Sequence, residues 1–136
     1  MDPQRAAYDE VYVYTMGRPR FILQHVVDAF AIQTATPDTK PLALVFGLLG
    51  LYLHLEKGFS GRQVQEVHIQ LGRRKREWPR IDLPDDRGRL TVLDVFAAPA
   101  GSERDKAIDN WCRSVWSAYA HNHETIITLL REYGIT

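Results

Sequence analysis

Two consecutive segments, residues 19–33 and 42–55, are almost wholly apolar yet carry His25, Asp28 and His54. That combination limits the fold more than any other feature of the chain. Helices this apolar are buried on most sides. Polar groups buried with them are either hydrogen-bonded core residues or the lining of a site. The sequence alone leaves both readings open.

The rest of the chain divides around these segments. Residues 19–34 read as a helix whose only polar strip is Gln24, His25 and Asp28. The next helix, about 40–57, has no charge between Lys40 and Glu56, so it is expected at the centre, with Gly58 as its C-cap. Gly47, Gly50 and His54 share one face of it. A glycine costs about 1 kcal/mol in a helix interior, and two on one face point to a close approach by another helix. Upstream, Val11-Tyr12-Val13-Tyr14 has strand character, but Tyr8, Val11, Tyr12 and Thr15 share a helical face. The chain has few other strand candidates, so a helix is expected there.

Ser60 and Gln63 stand at capping-box spacing and open a fourth helix with the stripe Val64, Val67, Leu71. Residues 76–90 form a loop pinned by Trp78 and Ile81. Thr91 and Asp94 start a short helix that stops at Pro99. Ser102 and Asp105 read as another capping box, opening the longest helix, about 102–133, whose stripe includes Cys112, Tyr119 and His123. Asp109 and Arg113 are spaced to pair on it. The expectation is an all-α fold: one domain over residues 1–136, a helical bundle of four main helices plus one or two short helices.

Composition excludes some functions. Lys+Arg and Asp+Glu are 17 each, so no global field favours nucleic acid or anionic lipid. The basic run Arg73-Arg74-Lys75-Arg76 next to Trp78 is offset by Glu77, Asp82, Asp85 and Asp86, and nucleic acid is not the expected partner. Near-zero charge leaves little repulsion between copies, and with the Tyr-rich N-terminal segment it favours a homodimer. A single cysteine, Cys112, rules out an intrachain disulfide and a Cys-based zinc site within one chain. The apolar run Leu42–Leu53 is shorter than the roughly 20 residues that span a bilayer. Met1–Arg5 is followed by no apolar signal-peptide region. No membrane role is expected, and a cytoplasmic location is.

The chain resembles a family of small, uncharacterised bacterial helical proteins, a domain of unknown function. The likeness lies in HVVDAFAIQ (His25–Gln33), GLYLHLE (Gly50–Glu56), Trp78-Pro79, LTVLDV (Leu90–Val95), and the helix carrying Trp111, Trp116, Tyr119 and the His121/His123 pair. It covers about residues 19–128 and implies a fold, with almost nothing about chemistry. A weaker likeness is to DinB-like metal-binding bundles, which hold a divalent metal on three histidines, two of them four apart on the last helix. His121 and His123 are two apart and point to opposite sides, so at most one reaches an interior site.

The sharpest chemical candidate is a divalent-metal site (Zn, Fe, Ni or Mn). His25 and Asp28 share a helix face, with His54 as a third ligand and His123 as a fourth. The plainer reading is a buried network in which Asp28 accepts a hydrogen bond from His25 or a tryptophan indole. Trp78, Trp111, Trp116 and Tyr119 are candidates for a pocket or an interface. Cys112 reads as an inert buried thiol. The leading functional reading is a small bundle that binds a partner or small apolar ligand. The alternative is a divalent-metal bundle with hydrolase- or transferase-like activity.

Overall fold

The most apolar segment becomes the middle of the molecule. In the computed structural model, which describes residues 2–74 and 77–135, helix α3 (Pro41–Lys57) is packed by α2 (Leu23–Gln33), α4 (Gly61–Arg74), α6 (Ser102–Ala118) and α7 (His123–Glu132). Helix α1 (Pro3–Thr15) lies against α2 and the short α5 (Val92–Ala97), and α5 also touches α6. The described residues contain seven α-helices and no strand. The class is all-α as expected, with more helices than the sequence divides into.

Local signals set most of the ends. Pro41 occupies the first turn of α3, and Gly58 ends it in the left-handed region at φ 71°. The Gly58 and Phe59 amides return to the carbonyls of His54 (3.2 Å) and Leu53 (3.0 Å). Ser60 and Gln63 bond reciprocally before α4, and Thr91 and Asp94 form the capping box of α5. Ile81 is buried and Trp78 meets Phe46 edge-on, so both hold the loop down as expected. Val11–Tyr14 is helical, with Val11 fully buried.

Antiparallel α2 and α3 share the tightest seam. A Cβ at Gly47 would lie 2.6 Å from Ile32 Cγ1, and one at Gly50 would lie 2.9 Å from Asp28 Cγ. Beyond them the rings of His25 and His54 stack, centroids 3.6 Å apart. The two glycines are the reason the helices come so close.

Three expectations need correction. The second helix does not start at Pro19: Arg20 and Phe21 adopt φ of 62° and 54°, and the chain turns before α2 begins at Leu23. That turn seats the Phe21 carbonyl directly over Gly61. The helix expected over 102–133 breaks at Tyr119–Asn122 into α6 and α7. Asn122 turns inward there, accepting from the Asp82 amide (2.9 Å) and donating to its carbonyl (2.8 Å). The two hydrogen bonds that Asn122 makes to the Asp82 backbone outweigh continuing the helix by one turn. Finally, Ser102 and Asp105 make no capping box. Gly101 precedes α6 without a side-chain cap, and Asp105 instead takes the Tyr14 hydroxyl (2.7 Å) and the Arg18 guanidinium (3.1 Å).

No helix among the described residues is long and apolar enough to cross a membrane. Of the basic run, Lys75 and Arg76 lie outside the described residues, and Arg73 and Arg74 are exposed at the end of α4.

Two glycines of α4 should respond oppositely to alanine. Gly61→Ala drives a Cβ into the Phe21 carbonyl group, whose carbon would be 2.8 Å away. A loss of about 2 kcal/mol or more is expected in urea unfolding. Gly72 meets nothing closer than Phe46 Cζ at 3.9 Å, and Gly72→Ala should gain up to about 1 kcal/mol. Equal effects would contradict the placement of α4.

Candidate functional site

The residues singled out in α2 and α3 do meet. His25 is 1% exposed, and its ring lies nearly parallel to that of His54, at 11°. Burial pushes its pKa down to about 3, helped by the neighbouring His54, so His25 is neutral at physiological pH. Its Nδ1 is buried with no hydrogen-bond partner among the described residues. On the outer side, His54 Nε2 lies 2.9 Å from Asp109 Oδ1 on α6. That hydrogen bond holds the Asp109 carboxyl below its usual pKa, against the effect of burial. Asp109 thus pairs across helices with His54 rather than forming the expected pair with Arg113.

Asp28 lies one turn from His25, over Gly50. The expected hydrogen bond from His25 or an indole is absent. Gln24 Nε2 donates to Asp28 Oδ1 at 2.9 Å, and Gln24 is itself held by Gln65 (3.1 Å). Asp28 Oδ2 is buried without a partner. Burial raises its pKa well above the usual 3.8, outweighing the opposing effect of the Gln24 bond. Cys112 is fully buried, its Sγ 3.7 Å from the His25 carbonyl, and burial raises its pKa as expected of an inert thiol.

His123 does not join this group. Its ring stacks on Trp116, centroids 3.6 Å apart, and its Nε2 meets the Trp116 carbonyl at 2.7 Å. Among the described residues no three His, Cys, Asp or Glu side chains are gathered closely enough to hold a metal ion.

The aromatic candidates divide in two. Trp111 and Tyr119 are fully buried, so neither lines a surface pocket. The Trp111 indole donates to Gln33 Oε1 (2.8 Å), and the Tyr119 hydroxyl donates to the Ile32 carbonyl (2.7 Å). Trp116 lines a cleft of about 390 Å³ with Tyr52, His123 and Ile127. Trp78 borders a cleft of about 520 Å³ with Glu124, Thr128 and Glu132.

Sequence reasoning missed Asp109 as the partner of His54, because a nearer arginine stood at helical spacing. It also missed Gln33, whose amide joins Trp111 to the carbonyls of Leu90 (2.7 Å) and Arg87 (3.2 Å). A glutamine inside an apolar helix, in the same stretch as His25 and Asp28, was the available signal.

A sequence model of a family of unknown function, DUF5946, matches residues 5–120. No curated protein and no solved structure matches the chain, so the likeness to DinB-like bundles is not shown.

The buried imidazole makes stability depend on pH. With a folded pKa near 3 against the usual 6.5, the unfolded chain binds more protons between those values, and stability falls as pH drops through that window. In chelator-treated protein, lowering the pH from about 7.5 to about 5 should cost wild type about 2 kcal/mol more than His25→Leu. Asp28 acts with the opposite sign, since its folded pKa is raised and stability is lost as pH climbs above 3.8. Asp28→Asn should therefore gain on wild type with rising pH. Flat differences in urea unfolding would refute the buried, shifted states.

Proposed function

We propose that this chain, which belongs to the DUF5946 family of unknown function, is a small divalent-metal-binding bundle protein. The observation that carries the reading is the pair of partnerless buried atoms, His25 Nδ1 and Asp28 Oδ2, one turn apart on the face of α2 that meets α3. Each such atom costs about 1–3 kcal/mol. Proteins keep them where an ion, a water or chemistry supplies the missing partner. A divalent cation answers both at once: a neutral imidazole offers its lone pair, and a buried carboxyl is relieved of its proton. His54, whose ring is stacked on His25, would have to turn to serve as the third ligand, and Asp109, its hydrogen-bond partner, would orient it. The nitrogen and oxygen donors suit Zn, Fe, Ni or Mn. His123 stays with Trp116. An ion held by these residues would supply the Lewis acidity that hydrolase- or transferase-like chemistry needs.

Metal analysis by mass spectrometry, on untagged protein purified without chelator or nickel resin, tests this. About one equivalent per chain is expected. His25→Ala and His54→Ala should lower occupancy about tenfold or more with helicity unchanged, and His123→Ala should leave it alone. Protein that stays metal-free after incubation with zinc, iron, nickel and manganese defeats the reading.

A second reading, binding of a partner such as another copy of this chain, has its own observation. Val13 on α1, Met16 at its C-terminal end, and Leu93 and Phe96 on α5 are exposed apolar side chains at two helices packed together. A homodimer through them should dissociate in sedimentation equilibrium when Phe96→Glu and Met16→Glu are combined. A wild type monomeric at high concentration would eliminate it.

A further inference from the structure

The loop between α4 and α5 is fixed at several points. Besides the Gln33 and Asn122 bonds, the Arg87 guanidinium reaches the Ala35 carbonyl (2.7 Å), and the Leu90 amide donates to Ser114 Oγ (3.2 Å). Gly88, at φ 107°, lies flat on α6, where a Cβ would come within 2.8 Å of Ser114 Oγ. Together these contacts make residues 84–90 one wall of a cleft of about 900 Å³, with α6 and His121 as the other.

Arg89 and Arg113 stand on the two walls. Elsewhere Arg18, Arg87 and Arg104 spend their guanidinium groups on carboxylate or carbonyl oxygens. Arg89 and Arg113 form no hydrogen bond or ion pair among the described residues. The carboxylate one turn from Arg113, Asp109, hydrogen-bonds His54, and Arg113 acts on it only as a lesser charge attraction. The one carboxylate in the lining, Asp86, accepts the Gly88 amide at 2.8 Å. Asn110 and Ser117 add neutral donors, and Leu90 and Ala118 an apolar patch.

We propose that this cleft binds a small phosphate ester, its phosphate between Arg89 and Arg113. Guanidinium forks match phosphate oxygens two at a time, and a wall already ordered loses little freedom on binding. The apolar patch takes the organic part of the ester. A nucleic-acid strand is disfavoured because Asp82, Asp85 and Asp86 interrupt any continuous basic track. The inference stands apart from the metal reading and uses none of its residues.

Isothermal titration with adenosine 5′-monophosphate, inorganic phosphate and a short single-stranded oligonucleotide, at about 0.15 M salt, is the test. The monophosphate ester should bind one per chain, more tightly than inorganic phosphate. Arg113→Ala and Arg89→Ala should each weaken it about tenfold or more, while Arg73→Ala should not. Both arginines are exposed, and helical circular dichroism together with an unchanged unfolding midpoint would verify that the variants fold. Absence of binding, binding indifferent to both substitutions, or binding of an oligonucleotide alone would overturn the proposal.

Discussion

The close contact between α2 and α3 is the constraint on which the rest depends. Ile32 sits on Gly47, Asp28 on Gly50, and His25 on His54, in one antiparallel register. Only the missing Cβ atoms allow it. Once the helices are that near, the Asp28 carboxyl has no route to water, and the His25 imidazole is sealed under its neighbour. The unusual ionisation of both groups follows from backbone proximity, because burial is the largest cause in each case. A larger residue at position 50 would have to displace the carboxyl, so the glycine and the aspartate act as one unit.

The other end of α2 is held by a different device. The last carbonyls of α2 and of the turn that follows it need donors. The Tyr119 hydroxyl takes that of Ile32, and the Arg87 guanidinium takes those of Ala35 and, at 3.4 Å, Gln33. Gln33 ties Trp111 to the same loop. This network satisfies its buried groups, whereas the His25–Asp28 region leaves two atoms unmatched. The contrast within one helix is informative. A chain able to close its buried polar groups at one end leaves two atoms open at the other, on His25 and Asp28. The completed network fixes the fold, and the two unmatched atoms are the observation on which the proposed metal site rests.

The loop shows the same division of labour. Arg87 is spent on backbone carbonyls and fixes the loop, and the arginine two residues on is left to face solvent across from Arg113. Neither feature is visible in the net charge of zero, which averages over local fields. A balanced chain can still place two guanidinium groups that hydrogen-bond nothing among the described residues at one cleft.

Much of the fold was legible along the chain because it rests on local chemistry. The helical class, the central apolar helix, the stops at Gly58 and Pro99, two of the three capping boxes, and the close approach at Gly47 and Gly50 all follow from residues within a turn or two of one another. Tertiary structure decided the matters that depend on which distant group arrives first. It broke the last helix so that Asn122 could pair a loop, drew Asp105 from its own helix end to Tyr14 and Arg18, sent Asp109 to His54, gave Trp111 to Gln33 rather than Asp28, and put His123 on Trp116. A polar side chain has several partners in reach of its sequence neighbours. The one it takes is set by packing that must leave the fewest buried groups unpaired, and that count can be made only once the helices are in contact.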